Sequence, residues 1–142
     1  FETQVRLRTR ELGLEDSVIF TGFVEDVSQV LSAMDLQVNA SYVSETSSLS
    51  LLEGMSMGLP MAATDCCGNP WIVDQEVSGY LFPPRDAGAL ASIVERLMDD
   101  RELLKRLGQG ALTSYQERFT GQIYAKTLED IYRSVLSDGS EE

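Results

Sequence analysis

Ser41-Tyr42-Val43-Ser44-Glu45-Thr46-Ser47-Ser48-Leu49-Ser50-Leu51-Leu52-Glu53-Gly54-Met55-Ser56-Met57-Gly58-Leu59-Pro60, continuing Met61-Ala62-Ala63-Thr64-Asp65-Cys66-Cys67-Gly68, is the stretch from which the fold is read. It opens as a hydroxyl-rich loop with one carboxylate, Glu45. A helix carrying a second carboxylate, Glu53, is predicted to begin near Ser47 or Ser48. It should end at Gly58, with Pro60 as the stop. The apolar run Met61 to Thr64 reads as a buried strand, and Asp65 to Gly68 as a tight turn.

Upstream, Phe1 to Leu12 reads as a helix with Phe1, Val5 and Leu12 on one face and Gly13 at its C-cap. Val18-Ile19-Phe20 has the form of a short buried parallel strand. Val27, Val30, Leu31 and Met34 give a helix over about Glu25 to Met34, and Leu36-Gln37-Val38 is the next strand. Downstream, Asn69 is the expected N-cap and Pro70 the first residue of a short helix. Tyr80-Leu81-Phe82 is a strand closed by Pro83-Pro84. From Asp86 the chain is helical, with apolar stripes at Leu90, Ile93, Val94 and Leu97, then Leu103, Leu104, Leu107 and Ala111. A last helix carries Ile123, Tyr124, Leu128, Ile131, Tyr132 and Val135. The polar residues 137–142 are expected to form a disordered tail after one domain over 1–136.

Strands alternating with helices at this spacing predict an α/β fold, a parallel sheet with helices on both faces. Such sheets bind ligands at the carboxyl ends of their strands. The Ser41 to Ser48 loop, the Asp65 to Asn69 turn and the Pro83-Pro84 turn should therefore share one edge, the expected site.

Bulk composition narrows the chemistry. The 142 residues carry 23 Asp and Glu against 11 Lys and Arg, a net charge of −12, and no His. Such a domain is a poor partner for nucleic acid or an anionic membrane surface. Lacking His, it lacks the commonest general base and metal ligand. Two adjacent thiols, Cys66 and Cys67, make neither a ready disulfide nor a zinc site; they read as reduced packing residues of a cytoplasmic protein. Between Glu11 and Pro84 there is no Lys or Arg. An anion bound by the central stretch would need helix N-termini and backbone amides, or cations from outside this chain.

Thr46, Ser47 and Ser48 precede the helix. One can cap it, leaving other first-turn amides for a phosphate or for sugar hydroxyls; a plain cap without ligand is the alternative. Leu49, Leu52 and Ser56 are taken as the inward face, with Glu53 at its margin. Its carboxylate either reaches solvent or meets a donor such as a ribose diol. Glu45 could accept hydrogen bonds beside a reacting sugar or lie idle in the loop. Trp71 could stack on a base or sugar, but filling the core is its expected role.

Glu45 and Glu53, with seven residues between them, are followed by Gly54-Met55, Gly58-Leu59-Pro60, Ala63-Thr64-Asp65 and Gly68-Asn69-Pro70. This resembles the signature of family-4 retaining glycosyltransferases of the GT-B fold. Leu12-Gly13-Leu14, Val18 to Phe23, Ser41 and the block Gly79 to Asp86 extend the resemblance over about residues 3 to 118. It implies a Rossmann-like, N-terminally truncated C-terminal half of such an enzyme, the part that binds the nucleotide-sugar donor.

By that resemblance Glu45 sits beside the donor sugar as the catalytic carboxylate. Thr46, Ser47, Ser48 and Leu49 line the sugar and diphosphate, and Glu53 holds the ribose. The implied reaction is sugar transfer with retention, in polysaccharide or glycoconjugate synthesis, without a required metal or cofactor; no Asp-x-Asp motif is present. The resemblance also implies that the Arg and Lys meeting the diphosphate, and the N-terminal acceptor-binding domain, lie outside this chain. The chain by itself is thus expected not to be a competent transferase, and the full-length protein to be cytoplasmic, if need be peripheral at the inner membrane face. An unpaired sheet edge would invite self-association.

Three departures concern the donor more than the fold. Thr46-Ser47-Ser48 replaces a glycine-containing turn, Cys67 replaces the first glycine of a pair, and Trp71 stands where Glu is common. A non-catalytic flavodoxin-like binding or interaction module is the alternative reading. A dehydrogenase-type dinucleotide binder is disfavoured, because no Gly-x-Gly-x-x-Gly follows a predicted strand.

Overall fold

The computed structural model describes residues 1–43 and 46–138, the last by its backbone alone. In order the elements are α1 (Glu2–Glu11), α2 (Val27–Leu31), β1 (Gln37–Asn39), α3 (Leu49–Ser56), β2 (Met61–Thr64), α4 (Asn69–Ile72), β3 (Gly79–Phe82), α5 (Ala87–Asp99), α6 (Arg101–Arg118) and α7 (Gly121–Asp138). The strands form one parallel sheet in the order β1-β2-β3. Helices cover both faces, as the alternation of elements predicts.

Register explains the two-sided core. Gln37, Met61 and Gly79 lie side by side, and the next row is Val38, Ala62 and Tyr80. Successive residues point to opposite faces. Met61 and Ala63 pack with Leu51 and Met55 of α3, Ile72 of α4 and Ala111 of α6. Tyr80 packs with Leu97 of α5 and with Leu103 and Leu107 of α6. All four residues of the central strand β2 are buried. Each fully buried Leu or Met contributes about 1.5–3 kcal/mol, so Leu51, Met55 and Leu107 anchor the helices on this sheet.

The ends of α3 follow from local chemistry. Ser48 is its N-cap, and the Ser48 side chain accepts from the Leu51 amide. At the other end Gly58 has φ +73°. There the Leu59 amide bonds Gly54 O and the Gly58 amide bonds Met55 O. This is a Schellman closure, which needs the left-handed residue that glycine supplies. The predicted span is thereby confirmed, but its rotation is not. Leu51, Gly54 and Met55 face inward, whereas Leu49 is 71% exposed. The cap at Ser48 sets the phase, and Gly54 admits the close approach of Gln37 on β1.

Other expectations are corrected. Val18-Ile19-Phe20 is not a strand: among the described residues it has no ladder partner, and Ile19 is 85% exposed. A run this short has no strand identity without a neighbour to bond. Phe20 instead lies under the Arg6 guanidinium, 4.1 Å from ring centroid to Cζ. Phe1, Val5 and Leu12 of the first helix are exposed. The second helix is only five residues long. Asp26 caps it, accepting from the Ser28 amide and hydroxyl, which holds the Asp26 carboxyl below its ordinary value. Helix α7 includes Ser137 and Asp138; the rest of the expected tail lies outside the described residues. Its apolar stripe from Tyr124 to Val135 is largely exposed.

Helix α6 passes unusually close to its neighbours. A Cβ on Gly108 would stand 2.4 Å from Gly58 O, and one on Gly110 2.0 Å from Val77 O. Both contacts are with backbone, which cannot swing away. Gly108→Ala should therefore lower stability by about 1–3 kcal/mol through overpacking, although Ala is the better helix former. Urea denaturation checks this; an unchanged or raised midpoint would refute the close packing.

Candidate functional site at the strand ends

Parallel pairing places the carboxyl ends of all three strands on one edge: Asn39 beside Ala63, and Thr64 beside Phe82. The expected common edge is thus present. A polar network ties it together. Asn39 Nδ2 donates to Ser48 Oγ at 2.8 Å, and Asn39 Oδ1 accepts from the Ser41 amide at 2.9 Å. Thr64 Oγ1 donates to Ser41 O. Asn69 Nδ2 donates to Thr64 O and Oγ1, at 3.1 and 3.0 Å. Asn39, Ser48, Thr64 and Asn69 are all buried. Among the described residues Asn69 Oδ1 is buried without a partner; the bonds that the other groups make fix the geometry of the edge.

The network sets where each proposed ligand-binding residue stands. Ser48 is fully buried, and its hydroxyl is engaged by Asn39, Ser50 and the Leu51 amide. Its side chain is a structural cap, unavailable to a ligand. Thr46, Ser47 and Leu49 are exposed in front of it. Within the first turn, the amides of Leu49 and Ser50 have no acceptor among the described residues. Glu53 is exposed one turn beyond Leu49, on the same outward face. Its carboxylate also has no partner among the described residues. Glu45 lies outside the described residues.

Asn69 is not the N-cap of α4. Gly68 holds that position, and the Asn69 side chain turns back to Thr64. A buried amide able to satisfy two acceptors at a strand end is worth more there than as a cap. Trp71 is 79% exposed instead of filling the core. Its carbonyl accepts from Arg118 Nη2, while Arg118 Nη1 pairs with Asp74 Oδ2 at 2.6 Å. This tether holds α4 by its backbone and leaves the indole outside. Cys67 has φ +56°, so the turn has the conformation that glycine takes without strain. The hydrogen bond with Thr64 pulls the Cys66 thiol down, but burial, Cys67 and Asp65 push it up further, so it lies above its ordinary value. Among the described residues no group of three or more His, Cys, Asp or Glu is placed to hold a metal.

Sequence reasoning missed Asn39, Tyr42 and Arg85. Asn39 carried a signal, an amide as the last residue of a strand running into the loop. Arg85 did too: it ends the cation-free span and follows the third strand by three residues.

The pivotal contact is testable. Asn39→Ala should cost about 1–3 kcal/mol, because Ser48 Oγ and the Ser41 amide lose a buried partner. Amide exchange at Leu51 should also quicken. A loss under about 0.5 kcal/mol, typical of a surface site, would show that the network does not hold this edge.

The sequence profile of the family described as glycosyl transferases group 1 matches residues 2–100. The N-acetyl-alpha-D-glucosaminyl L-malate synthase of Bacillus anthracis is 33% identical over 129 residues, 91% of this chain and 34% of that protein. Sucrose-phosphate synthase of Thermosynechococcus elongatus superposes with a TM-score of 0.87 at 29% identity, over 96% of this chain and 34% of that one. Anabaena Alr3699/HepE, solved in complex with UDP, gives 0.84 at 28%, over 92% and 37%. This chain thus spans about a third of the length of the relatives it matches. Its three-stranded parallel sheet and flanking helices are the Rossmann-like architecture of the C-terminal half of a GT-B fold, and the chain belongs to the glycosyl transferases group 1 family.

Proposed function

We propose that this chain forms the donor-binding part of a retaining glycosyltransferase that takes its sugar from a nucleotide-sugar. The observation that carries the reading is the open first turn of α3. Two amides without an acceptor among the described residues, and an exposed carboxylate one turn later, stand together at the strand-end edge. The positive end of a helix favours an anion, and first-turn N–H groups can donate to its oxygens. The Anabaena relative has been solved with UDP-glucose as well as UDP.

In this reading the amides of Leu49 and Ser50 donate to the diphosphate, and Thr46 and Ser47 meet the sugar. As the glycosidic bond to the diphosphate breaks, negative charge grows on the leaving oxygen. Donors already aimed at that position stabilise it without having to reorganise. Glu53 accepts from the two ribose hydroxyls, whose adjacent donors match its two oxygens. Glu45 accepts hydrogen bonds beside the reacting sugar. The Ser48 hydroxyl takes no direct part; it holds the turn in place. No helix of the described residues is long and apolar enough to cross a membrane.

Glu53 offers the sharpest test. Hydrogen bonds to a charged group are worth about 1.5–3 kcal/mol, so Glu53→Gln should weaken UDP binding at least about ten-fold by calorimetry. The same substitution should hardly change binding of 2′,3′-dideoxy-UDP, which lacks the ribose hydroxyls. Equal losses for both nucleotides would refute the ribose role. No binding of UDP or any other nucleoside diphosphate would favour the non-catalytic interaction module instead.

A further inference from the structure

A second feature of the same edge is left unused by the donor site. Side chains from the face of the sheet opposite α3, namely Ala40, Thr64 and Phe82, line a cavity of about 220 Å³ with Leu90 of α5. Tyr42 and Arg85 stand at the same cavity. It is smaller than the roughly 300–1,000 Å³ that holds a drug-sized ligand, so it suits a small molecule or one group of a larger one.

Arg85 is the cation that sequence position and fold together bring to this edge. The Arg85 guanidinium carbon lies 4.6 Å from the centroid of the Tyr42 ring. A guanidinium held against a ring keeps N–H donors for another partner. Among the described residues Arg85 forms no ion pair. Asp86 lines the same cavity, and its Oδ1 accepts from the Ala89 amide at 2.9 Å at the start of α5. Arg85 also sits at φ +63°, where glycine would be free of strain. A long cationic side chain is thus kept at a position that disfavours any side chain. It is aimed at an apolar cavity in a protein of net charge −12.

We propose that Arg85 and Tyr42 form a subsite for a small anionic group, a carboxylate or phosphate of the co-substrate, separate from the nucleotide site at α3. The oriented guanidinium rim binds two oxygens of the anion side by side. The apolar walls of Ala40, Phe82 and Leu90 take the carbon skeleton attached to it. The subsite shares its edge with the proposed donor site, and the assignment of its anion to a co-substrate rests on that reading.

The test is an amide-shift titration of the ¹⁵N-labelled chain with succinate, inorganic phosphate and UDP, each added separately. Succinate or phosphate should shift the amides of Tyr42, Arg85 and Asp86 and the Arg85 Nε–H. Arg85→Gln should weaken that response about ten-fold or more, with Arg85→Lys between the two. Tyr42→Leu should weaken it as well, while circular dichroism shows the fold retained. UDP should shift residues 46–53 equally in the chain and in Arg85→Gln. Three results would overturn the proposal: no anion response at Arg85, a response that survives Arg85→Gln, or a matching loss of UDP affinity, which would assign Arg85 to the diphosphate. Failure of UDP to shift 46–53, with the anion response intact, would refute the donor reading alone.

Discussion

The 2.8 Å hydrogen bond from Asn39 Nδ2 to Ser48 Oγ joins the end of a strand to the start of a helix inside the protein. The rest of the site depends on it. Ser48 cannot cap α3 in another phase without breaking it, and the phase decides which residues face water. With Leu51 and Met55 turned inward, Leu49 and Glu53 are turned outward. Thr64 reaches Ser41 from the next strand, and Asn69 reaches Thr64 from the turn beyond. Two successive strand-to-helix connections, β1 to α3 and β2 to α4, are thereby held as one unit. A buried polar network of this kind contributes more to geometry than to net stability.

That geometry needs a rigid base, and close backbone contacts supply it. Among the described residues the sheet has three strands, and its central strand is buried on both faces. Helix α6 serves both cores, with Ala111 in one and Leu107 in the other. It comes near enough to α3 and the β3 approach that only glycine fits at Gly108 and Gly110. The turn that ends α3 is therefore held against α6 while its start is held by Asn39. A helix fixed at both ends can present first-turn amides without spending ligand-binding energy on ordering them.

Much of this was legible in the sequence because the signals were local. Ser48 and Gly58 bracket the helix through capping chemistry, and Met61 to Thr64 stands out as an unbroken apolar run. The order of motifs around Glu45 and Glu53 pointed to the family, and the match over residues 2–100 bears that out. What was misread depends on partners that sequence spacing does not show. Val18 to Phe20 is apolar enough for a strand but finds no ladder among the described residues. Trp71 was assigned to the core by type, while a backbone tether from Arg118 places it outside. Leu49 was placed inward by a wheel whose phase only the cap could set. Arg85 ends the cation-free span of the sequence, but its meeting with Tyr42 across 43 residues is a tertiary fact.

The central claim is that a network-held first turn of α3 presents free amides to a nucleotide diphosphate. Residue-resolved hydrogen exchange of the chain with and without saturating UDP tests it most directly. The account predicts slower exchange at Leu49 and Ser50 on binding. Leu51, already bonded to Ser48, and Leu107, in the distant core, should be little affected. Unchanged exchange at Leu49 and Ser50 under saturating nucleotide, or a uniform slowing across the whole domain, would contradict it.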